Sequence, residues 1–329
     1  MTDFTYYPVV IPTLCRYEHF KNLIESLTKC NNADKTEVII GLDYPPSENY
    51  IDGWKKIKDY LPKITGFKKI TVIESEKNVG SVENTKLIRN EAYKTYDAHI
   101  FSEDDNIVAP AFLDYMNWAL NTYKNNNSVL TVSGYVNPYW KIDSKSNVLI
   151  HNRYFSAWGC GFWKNKIPLF ENKITKDFFI NCLKRKNIIN KLLKSPRNLI
   201  SFQSVLFEDN VYPMDVTRSL FCYIEDNFFL MPKQSLVRNC GWDGSGEHCE
   251  DKMLTEMFNN QAISPDLINS FTAEKLSEKE IRKLEKLQKK YTKNFHKEFI
   301  TSIIKLILLK YIGMEKYKKL IKIIKIGIN

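Results

Sequence analysis

The first 105 residues alternate short apolar runs with amphipathic stretches, and this alternation constrains the fold more than any other feature. Four apolar runs that end in Pro, Gly or acidic residues predict strands, namely "YYPVVIPT", "TEVIIGLD", "KKITVIES" and "AHIFSEDD". Between them, "HFKNLIESLTKC" and "SVENTKLIRNEAYKTY" have the apolar spacing of helices. Strands and helices in alternation predict an α/β fold with a mostly parallel, doubly wound central sheet.

Polar residues directly follow three of the four predicted strands. Arg16 follows the first strand, Asp43 the second, and the acids Glu103, Asp104 and Asp105 the fourth. In sheets of this kind, ligands bind outside the carboxyl ends of the strands. We therefore expect these residues, which are far apart in sequence, to converge on one site.

The three consecutive acids are the most informative motif. Crowded carboxylates repel one another unless a cation neutralises them. Mg²⁺ and Mn²⁺ take oxygen ligands and share them with substrate phosphates, so one or two protein carboxylates suffice. The motif thus predicts a divalent metal ion beside a diphosphate. A solvated acidic turn, with Asp105 capping the next helix, explains the same residues without a metal.

The motif and its surroundings resemble the GT-A fold glycosyltransferases, above all N-acetylglucosaminyltransferase I and bacterial family-2-like sugar transferases. The acidic stretch "SEDDNIVAPAFLDYMNWAL" is similar to the family's metal-binding DXD region. Four further stretches match in the family's order around it, namely "VVIPTLCR", "EVIIGLD", "SAWGCGFW" and "SLVRNCGWDGSGEHC". The resemblance covers about residues 5–250. It implies a GT-A fold, Rossmann-like with a mostly parallel central sheet and flanking helices.

The resemblance also implies an activity. The chain would be an inverting, metal-dependent glycosyltransferase that moves a sugar from a UDP-sugar to a hydroxyl of a glycan or lipid-linked acceptor. Bacterial surface polysaccharide synthesis is the setting that the resemblance suggests. A sugar nucleotidyltransferase and a non-catalytic member that binds a glycan or a partner are the alternatives. The first of these normally has a Gly-rich loop after the first strand, which "IPTLCR" lacks.

The resemblance assigns roles to the matching residues. Asp105 would ligate Mn²⁺ or Mg²⁺ directly, and His248 would contact the metal or the diphosphate. The donor nucleotide would be bound by Pro12, Thr13, Arg16, Asp43, Glu103 and Asp104. Within that set, Asp43 would face the uracil. The sugar or acceptor would contact Trp158, Gly159 and Gly161. Each residue also has a plainer explanation, as part of a surface loop, a turn or a buried core.

Transfer also needs a carboxylate to accept the proton of the acceptor hydroxyl, on the face of the sugar opposite the diphosphate. The candidates lie after the glycine loop and are Glu208, Asp209, Asp215, Glu225 and Asp226. Asp215 best matches the family's catalytic Asp at a helix start, although Met214 stands where the family commonly has Trp. A plain helix N-cap is the alternative interpretation of Asp215.

The end of the chain is both basic and apolar. Residues 296–329 contain eight Lys and two Glu, which supply most of the net charge of +10. Ile and Leu interleave with these lysines, a pattern typical of amphipathic helices in the interface of an anionic membrane. A helix packed on the catalytic domain, or a dimer contact, is the alternative. We divide the chain into a catalytic domain (1–262), a charged helical connector (263–295) and a membrane-associating tail (296–329).

The composition argues against several other classes. Because the positive charge is concentrated in the tail, the body lacks the basic stripes of a nucleic-acid-binding protein. Seven Cys without CxxC spacing indicate reduced thiols. No signal peptide and no long apolar run is evident. We therefore expect a cytoplasmic protein, peripheral on the inner face of the cell membrane.

Overall fold

The computed structural model describes residues 4–207, 214–243, 257–258, 260–268, 270–289 and 294–326. The chain divides into two compact units, each with its own apolar core. Unit 1 comprises Met1–His151, Phe155–Ile167 and Phe228–Leu276. Unit 2 comprises Asn152–Tyr154, Pro168–Asn227 and Ser277–Asn329.

The strands and helices of the described residues are as follows. The strands are β1 (Val9–Thr13), β2 (Glu37–Leu42), β3 (Lys69–Glu74), β4 (Ala98–Phe101), β5 (Asn106–Val108), β6 (Val129–Ser133), β7 (Val148–His151), β8 (Cys160–Trp163), β9 (Phe228–Pro232), β10 (Val237–Asn239) and β11 (Ala273–Lys275). The helices are α1 (Tyr17–Thr28), α2 (Ile51–Tyr60), α3 (Ser81–Ala92), α4 (Phe112–Thr122), α5 (Ile167–Lys173), α6 (Lys176–Cys182), α7 (Lys186–Leu193), α8 (Pro196–Phe207), α9 (Met214–Ile224), α10 (Glu278–Lys289) and α11 (Phe295–Ile326).

Unit 1 is built on a single large sheet. Within the described residues it has nine strands, in the order β11-β7-β9-β6-β8-β4-β1-β2-β3. Strands β4, β1, β2 and β3 run parallel to their neighbours in this half, and β8 is antiparallel to both β4 and β6. The remaining two strands, β5 and β10, pair in a separate antiparallel ribbon. The predicted α/β class with a mostly parallel sheet is confirmed.

The central strands are buried because helices cover both faces of the sheet, as parallel sheets require. Val9 and Ile11 of β1 are fully buried in one core with Phe20 and Leu23 of α1. Helix α3 packs against β1 and β2. The apolar runs that form β1, β2 and β4 are therefore strands buried on both sides, whereas β3, at the edge of the sheet, is partly exposed along its length.

The register of the parallel strands places their carboxyl ends at one edge of the sheet. Thr13 of β1 is paired with Leu42 of β2, and Val10 is paired with Phe101 of β4. The chain therefore leaves β1, β2 and β4 at the same edge. Residues that directly follow these strands are brought together by backbone pairing alone.

Strand β11 lies in the segment that the sequence suggests is a charged connector. Ala273 pairs with Val148 and Lys275 with Ile150, so the strand extends the sheet beyond β7 in parallel. The strand has only three residues, two of them charged, which are too few to show an alternating pattern. A long-range pairing with β7 thus forms this strand, and its local sequence gives no sign of it.

Unit 2 is helical in its described part. Its core contains apolar side chains of α6, α7, α8, α9 and α11, including Phe179, Leu192, Phe202, Leu220 and Leu306. Helix α11 breaks at Gly313, where φ is 74° and ψ is 165°. The basic tail therefore forms two successive helical segments, in agreement with the C-terminal amphipathic helices that the sequence predicts.

Gly41 tests the packing of α3 on the sheet. A Cβ at this position of β2 would lie 2.2 Å from Asn84 Oδ1 and 2.8 Å from Ile88 Cγ2. Asn84 is buried and donates to the Gly41 carbonyl, so it has no room to yield. We expect Gly41→Ala to lower the free energy of unfolding by roughly 1–3 kcal/mol, as overpacking does. Thermal unfolding measures the change. Lys69→Ala, on an exposed position of β3, is the control and should leave the melting temperature unchanged.

Candidate functional site

The carboxyl edge of β1, β2 and β4 collects the polar residues that the sequence predicts there. The Asp43 N–H donates to the Thr13 carbonyl at 3.0 Å. The Thr13 hydroxyl donates to Asp104 Oδ2 at 2.9 Å. Thr13, Asp43 and Asp104 therefore form one continuous hydrogen-bonded row across three strands.

Arg16 bridges the two aspartates of the acidic motif. Its Nη1 donates to Asp105 Oδ2 at 2.8 Å, and its Nη2 donates to Asp104 Oδ1. Both carboxylates are buried, whereas the Arg16 side chain is 25% exposed. Arg16 is held in this place because it is the N-cap residue of α1, in the short turn that follows β1.

Burial and the ion pairs act in opposite directions on this cluster. Burial raises the pKa of the Asp104 carboxyl above its ordinary value, and the neighbouring Arg16 guanidinium opposes that shift. Burial by itself would lower the pKa of Arg16, but the two carboxylates raise it. The cluster is therefore stable as long as a positive charge stays beside the acids.

The ribbon of β5 and β10 holds Asp105 from the other side. Asn239 Nδ2 donates to Asp105 Oδ1 at 2.6 Å, and the Cys240 N–H donates to the Asp105 carbonyl at 2.8 Å. A Cβ on Gly241 would lie 2.1 Å from Asp105 Oδ2. Only a glycine therefore leaves room for this carboxylate. All three residues lie in the stretch "SLVRNCGWDGSGEHC", in which the family resemblance assigns a role only to His248.

Asp43 uses its carboxylate to fix the segment before α3. Oδ1 accepts from the N–H groups of Tyr44 and Val79, both at 2.9 Å. Oδ2 accepts from the Gly80 N–H at 2.9 Å and from Asn78 Nδ2 at 3.2 Å. The buried acid thus has four protein donors. Any contact with a nucleobase would have to share oxygens that already accept two hydrogen bonds each.

The glycine-aromatic stretch contributes both packing and an aromatic surface. A Cβ on Gly161, in β8, would lie 3.1 Å from Leu120 Cδ2, and Gly159 has a positive φ of 60°. Core packing and backbone conformation thus account for both glycines. Trp158 is half-buried and contacts the rings of Tyr135 and Trp242, at centroid distances of 4.7 and 6.4 Å.

Trp242 extends this aromatic cluster toward the acids. It follows Gly241, which contacts Asp105, and it stacks on Phe258 at a centroid distance of 4.8 Å. Flat aromatic faces beside a polar cluster are suited to a sugar ring. Trp242 was not identified from the sequence. Its position in the Gly-rich stretch "NCGWDG" is the signal that would have found it.

The remaining predicted residues have less distinctive surroundings. Glu103 is half-buried next to the two aspartates, and Pro12 lies within β1 opposite Gly41. His248 lies outside the described residues, as do Glu208 and Asp209. The roles assigned to these five residues stay predictions.

The other three candidate bases lie in unit 2. Glu225 accepts from Arg185 at 2.9 Å, and Asp226 accepts from Lys191 at 2.6 Å. Asp215 lies in the first turn of α9 and accepts from the Val216 N–H at 2.8 Å. Burial raises the pKa of the Asp215 carboxyl, although this hydrogen bond and the charge of Arg197 oppose the shift. Asp215 is therefore the candidate with no ion-pair partner within contact distance among the described residues.

The carboxylates fit a hard divalent cation by the chemistry of their donor atoms. Within the described ranges, no group of three or more His, Cys, Asp or Glu is arranged to hold a metal. One or two carboxylates suffice, however, when phosphate oxygens supply the other ligands. Gly241 adds no side chain beside Asp105 Oδ2, so the Arg16 guanidinium is the side chain that an ion would displace from this oxygen. The residues present thus fit an ion that is shared with a diphosphate.

Comparison with known proteins gives matches to solved structures only. No family model matches the chain, and no curated protein matches it. TarS from S. aureus is 18% identical with a TM-score of 0.30, and the match covers 43% of this chain and 24% of that one. TarS 1-349 is 11% identical with a TM-score of 0.40, covering 73% of this chain and 62% of that one.

The mannosyltransferase PcManGT from Pyrobaculum calidifontis, solved with GDP-Man and Mn²⁺, is 12% identical with a TM-score of 0.37. The match covers 68% of this chain and 69% of that one. The chain thus spans from about a quarter to about two thirds of the matched chains. All three matches have TM-scores of 0.40 or below.

The pairing of Arg16 with the two acids predicts a pH-dependent loss of stability in Arg16→Ala. Because the pKa of Asp104 is raised in the folded state, its contribution to stability is complete below the ordinary value of 3.8 and is lost as the pH rises through the raised value. Removing Arg16 raises that pKa further. The stability lost by the variant should therefore be smallest at about pH 4 and should grow as the pH rises, to roughly 1–3 kcal/mol at about pH 8, less than a fully buried pair would lose.

Melting temperatures of the variant and the native protein across this pH range measure the effect. Arg16→Lys, which keeps a positive charge, should retain part of the stability at high pH. Arg282→Ala, at an exposed position of α10, is the matched control and should show no pH-dependent difference. An equal loss for Arg16→Ala at both pH values would mean that the guanidinium contributes packing and not charge.

Proposed function

We propose that the chain is an inverting glycosyltransferase that transfers a sugar from a UDP-sugar to a hydroxyl group. The observation that carries the proposal is the pair of adjacent, buried aspartates at the carboxyl edge of the sheet, which face a single, partly exposed guanidinium. In such a cluster, a divalent cation that binds together with a ligand can take the place of the Arg16 guanidinium beside the acids. In sheets of this type, that edge is where ligands bind.

The donor is proposed to bind along this edge. Arg16 has five N–H donors, two of which contact the aspartates, so others are available to a diphosphate. Mn²⁺ or Mg²⁺, held by Asp105 with Glu103 and Asp104 beside it, would supply the charge that makes the diphosphate a better leaving group. Thr13 and Pro12 would line the nucleotide from β1. His248 is proposed as a further contact of the metal or the diphosphate.

Asp43 is proposed to act on the nucleotide mainly by positioning. Its carboxylate fixes residues 78–80, which directly precede α3, through three hydrogen bonds and accepts a fourth from the Tyr44 N–H. The nucleobase would then meet a preformed loop as well as an edge of this acid. The family resemblance implies a direct contact between Asp43 and uracil, whereas the positioning role proposed here acts through the loop.

The chemical step needs a proton acceptor on the acceptor side of the sugar. The acceptor oxygen bonds to the anomeric carbon as the bond from that carbon to the diphosphate oxygen breaks, so the configuration inverts. The hydroxyl proton passes to a carboxylate, for which we propose Asp215. Burial raises its pKa toward neutrality, and a base of higher pKa takes the proton more readily.

The acceptor is proposed to be a glycan or a lipid-linked oligosaccharide. Trp158, Gly159 and Gly161, together with Trp242, are the residues that we propose for the sugar and acceptor side. The setting would be the inner face of the cell membrane in bacterial surface polysaccharide synthesis. We propose the same three parts as from the sequence. They are a catalytic domain (1–262), a charged helical connector (263–295) and a tail that associates with the membrane (296–329).

Asp105→Asn tests the role of the acidic motif. The amide keeps the size and the hydrogen bond from Asn239 but removes the charge that a cation needs. We expect the Mn²⁺-dependent hydrolysis of UDP-sugars to fall by at least about 100-fold. The rise in melting temperature with UDP and Mn²⁺ should also disappear. Asp34→Asn, an exposed acid next to α1, is the matched control and should behave like the native protein. Full activity in Asp105→Asn, or in the native protein with EDTA, would contradict the proposal.

Asp215→Asn separates the base from donor binding. If Asp215 accepts the proton, the turnover of transfer should fall by roughly 100-fold or more while the thermal stabilisation by UDP and Mn²⁺ is unchanged. Asp226→Asn breaks an exposed ion pair and is the matched control. Unchanged turnover in Asp215→Asn would remove this residue from the mechanism, and a loss in Asp226→Asn alone would point to that acid instead.

A further inference from the structure

Helix α11 carries a row of exposed apolar side chains along one face. Ile300, Ile304, Ile307 and Tyr311 are 58%, 53%, 50% and 81% exposed. Their spacing of four, three and four residues places them on a single stripe of the helix. We call these four residues the outer stripe. In the described part of the chain, few other large apolar side chains are this exposed, and they are not arranged in a row.

The opposite face of the same helix already serves the core of unit 2. Leu306 and Leu309 are buried there, and Phe299 and Ile303 are partly buried against the same core. At 3.6 residues per turn, Leu306 and Leu309 lie about 160° around the helix from the outer stripe. The outer stripe is therefore additional to what the fold requires, and a packed core does not explain it.

Positive charge flanks the outer stripe on both sides. Lys297 and Lys310 are exposed, and the helical repeat places them roughly 50° and 90° from its centre in opposite directions. Glu298 lies about 150° away on the other side of the helix. The surface that presents the outer stripe thus also presents two lysines, whereas Glu298 lies on the other side of the helix.

Charge decides between the two simplest occupants of such a face. A second copy of this chain would bring another tail with eight Lys and two Glu against the first, and the two would repel. An anionic lipid surface would attract the same lysines while accepting the isoleucines between its headgroups and acyl chains. In the described residues, no helix has both the length and the apolar content to cross a bilayer, so the helix would lie along the surface.

We propose that the outer stripe seats α11 in the interface of an anionic membrane, with Ile300, Ile304 and Ile307 in the acyl boundary and the flanking lysines at the phosphates. Tyr311 suits the headgroup level, because its ring is apolar and its hydroxyl is polar. This inference deepens the proposed function by naming the surface that would bring the enzyme to a lipid-linked acceptor. It rests on that function only for the identity of the acceptor.

The test is co-sedimentation of the full-length protein with vesicles. The native protein should bind vesicles of equal parts phosphatidylcholine and phosphatidylglycerol and should not bind pure phosphatidylcholine. The double variant Ile304→Ser, Ile307→Ser should bind the anionic vesicles about tenfold more weakly. Lys297→Gln with Lys310→Gln should also weaken binding, and added salt should then have a smaller effect. Leu267→Ser, an exposed apolar residue elsewhere, is the matched control and should bind like the native protein.

Three outcomes would overturn the proposal. The stripe variant could bind as tightly as the native protein, or the native protein could bind both vesicle types equally. Alternatively, light scattering could show a native dimer that the stripe variant abolishes, without vesicle binding by either. Hydrolysis of a UDP-sugar without vesicles keeps this question separate from the proposed function. The stripe variant should retain that hydrolysis and its melting temperature, because the changed side chains are exposed.

Discussion

Two adjacent carboxylates buried at the end of a strand require a positive charge, and the arrangement of unit 1 around β1 satisfies this requirement. Arg16 supplies the charge from the turn between β1 and α1, and the Thr13 hydroxyl and the Asn239 amide complete the hydrogen bonds of the acids. None of these partners is near the acids in sequence. The parallel register of the sheet and the β5–β10 ribbon bring them together.

The acids of this edge have different surroundings, which suggests a division of roles. Asp43 is fully engaged by four donors from its own loop and from residues 78–80, so it holds a preformed shape. Asp104 and Asp105 instead depend on one partly exposed guanidinium, a contact that a ligand can rearrange. The edge of the sheet thus combines one acid that is fully hydrogen-bonded by its own loops with a pair of acids that share one ionic partner. The outer stripe of α11 belongs to unit 2, and its proposed role concerns membrane binding and not sugar transfer.

Much of the fold was predictable because its signals are local. The apolar runs before Pro12, Asp43 and Asp104 predicted three of the central parallel strands, and all three are present. The convergence of Arg16, Asp43 and the acids was also predictable, because parallel strands end at a common edge. In contrast, Asn239, Gly241 and Trp242 were missed. Their contacts with Asp105 and with Trp158 depend on a ribbon that pairs residues more than 100 positions apart.

The sequence by itself determined the class of the sheet and the edge at which its polar residues gather. Hydrophobic periodicity and the alternation of strands and helices are local features that can be recognised directly in the sequence. It also determined that the tail is amphipathic and basic. Only the tertiary structure decided which oxygen of each acid is taken by which donor and which face of α11 is left uncovered. Those choices depend on packing between distant segments, where side chains compete for the same space and the same hydrogen bonds.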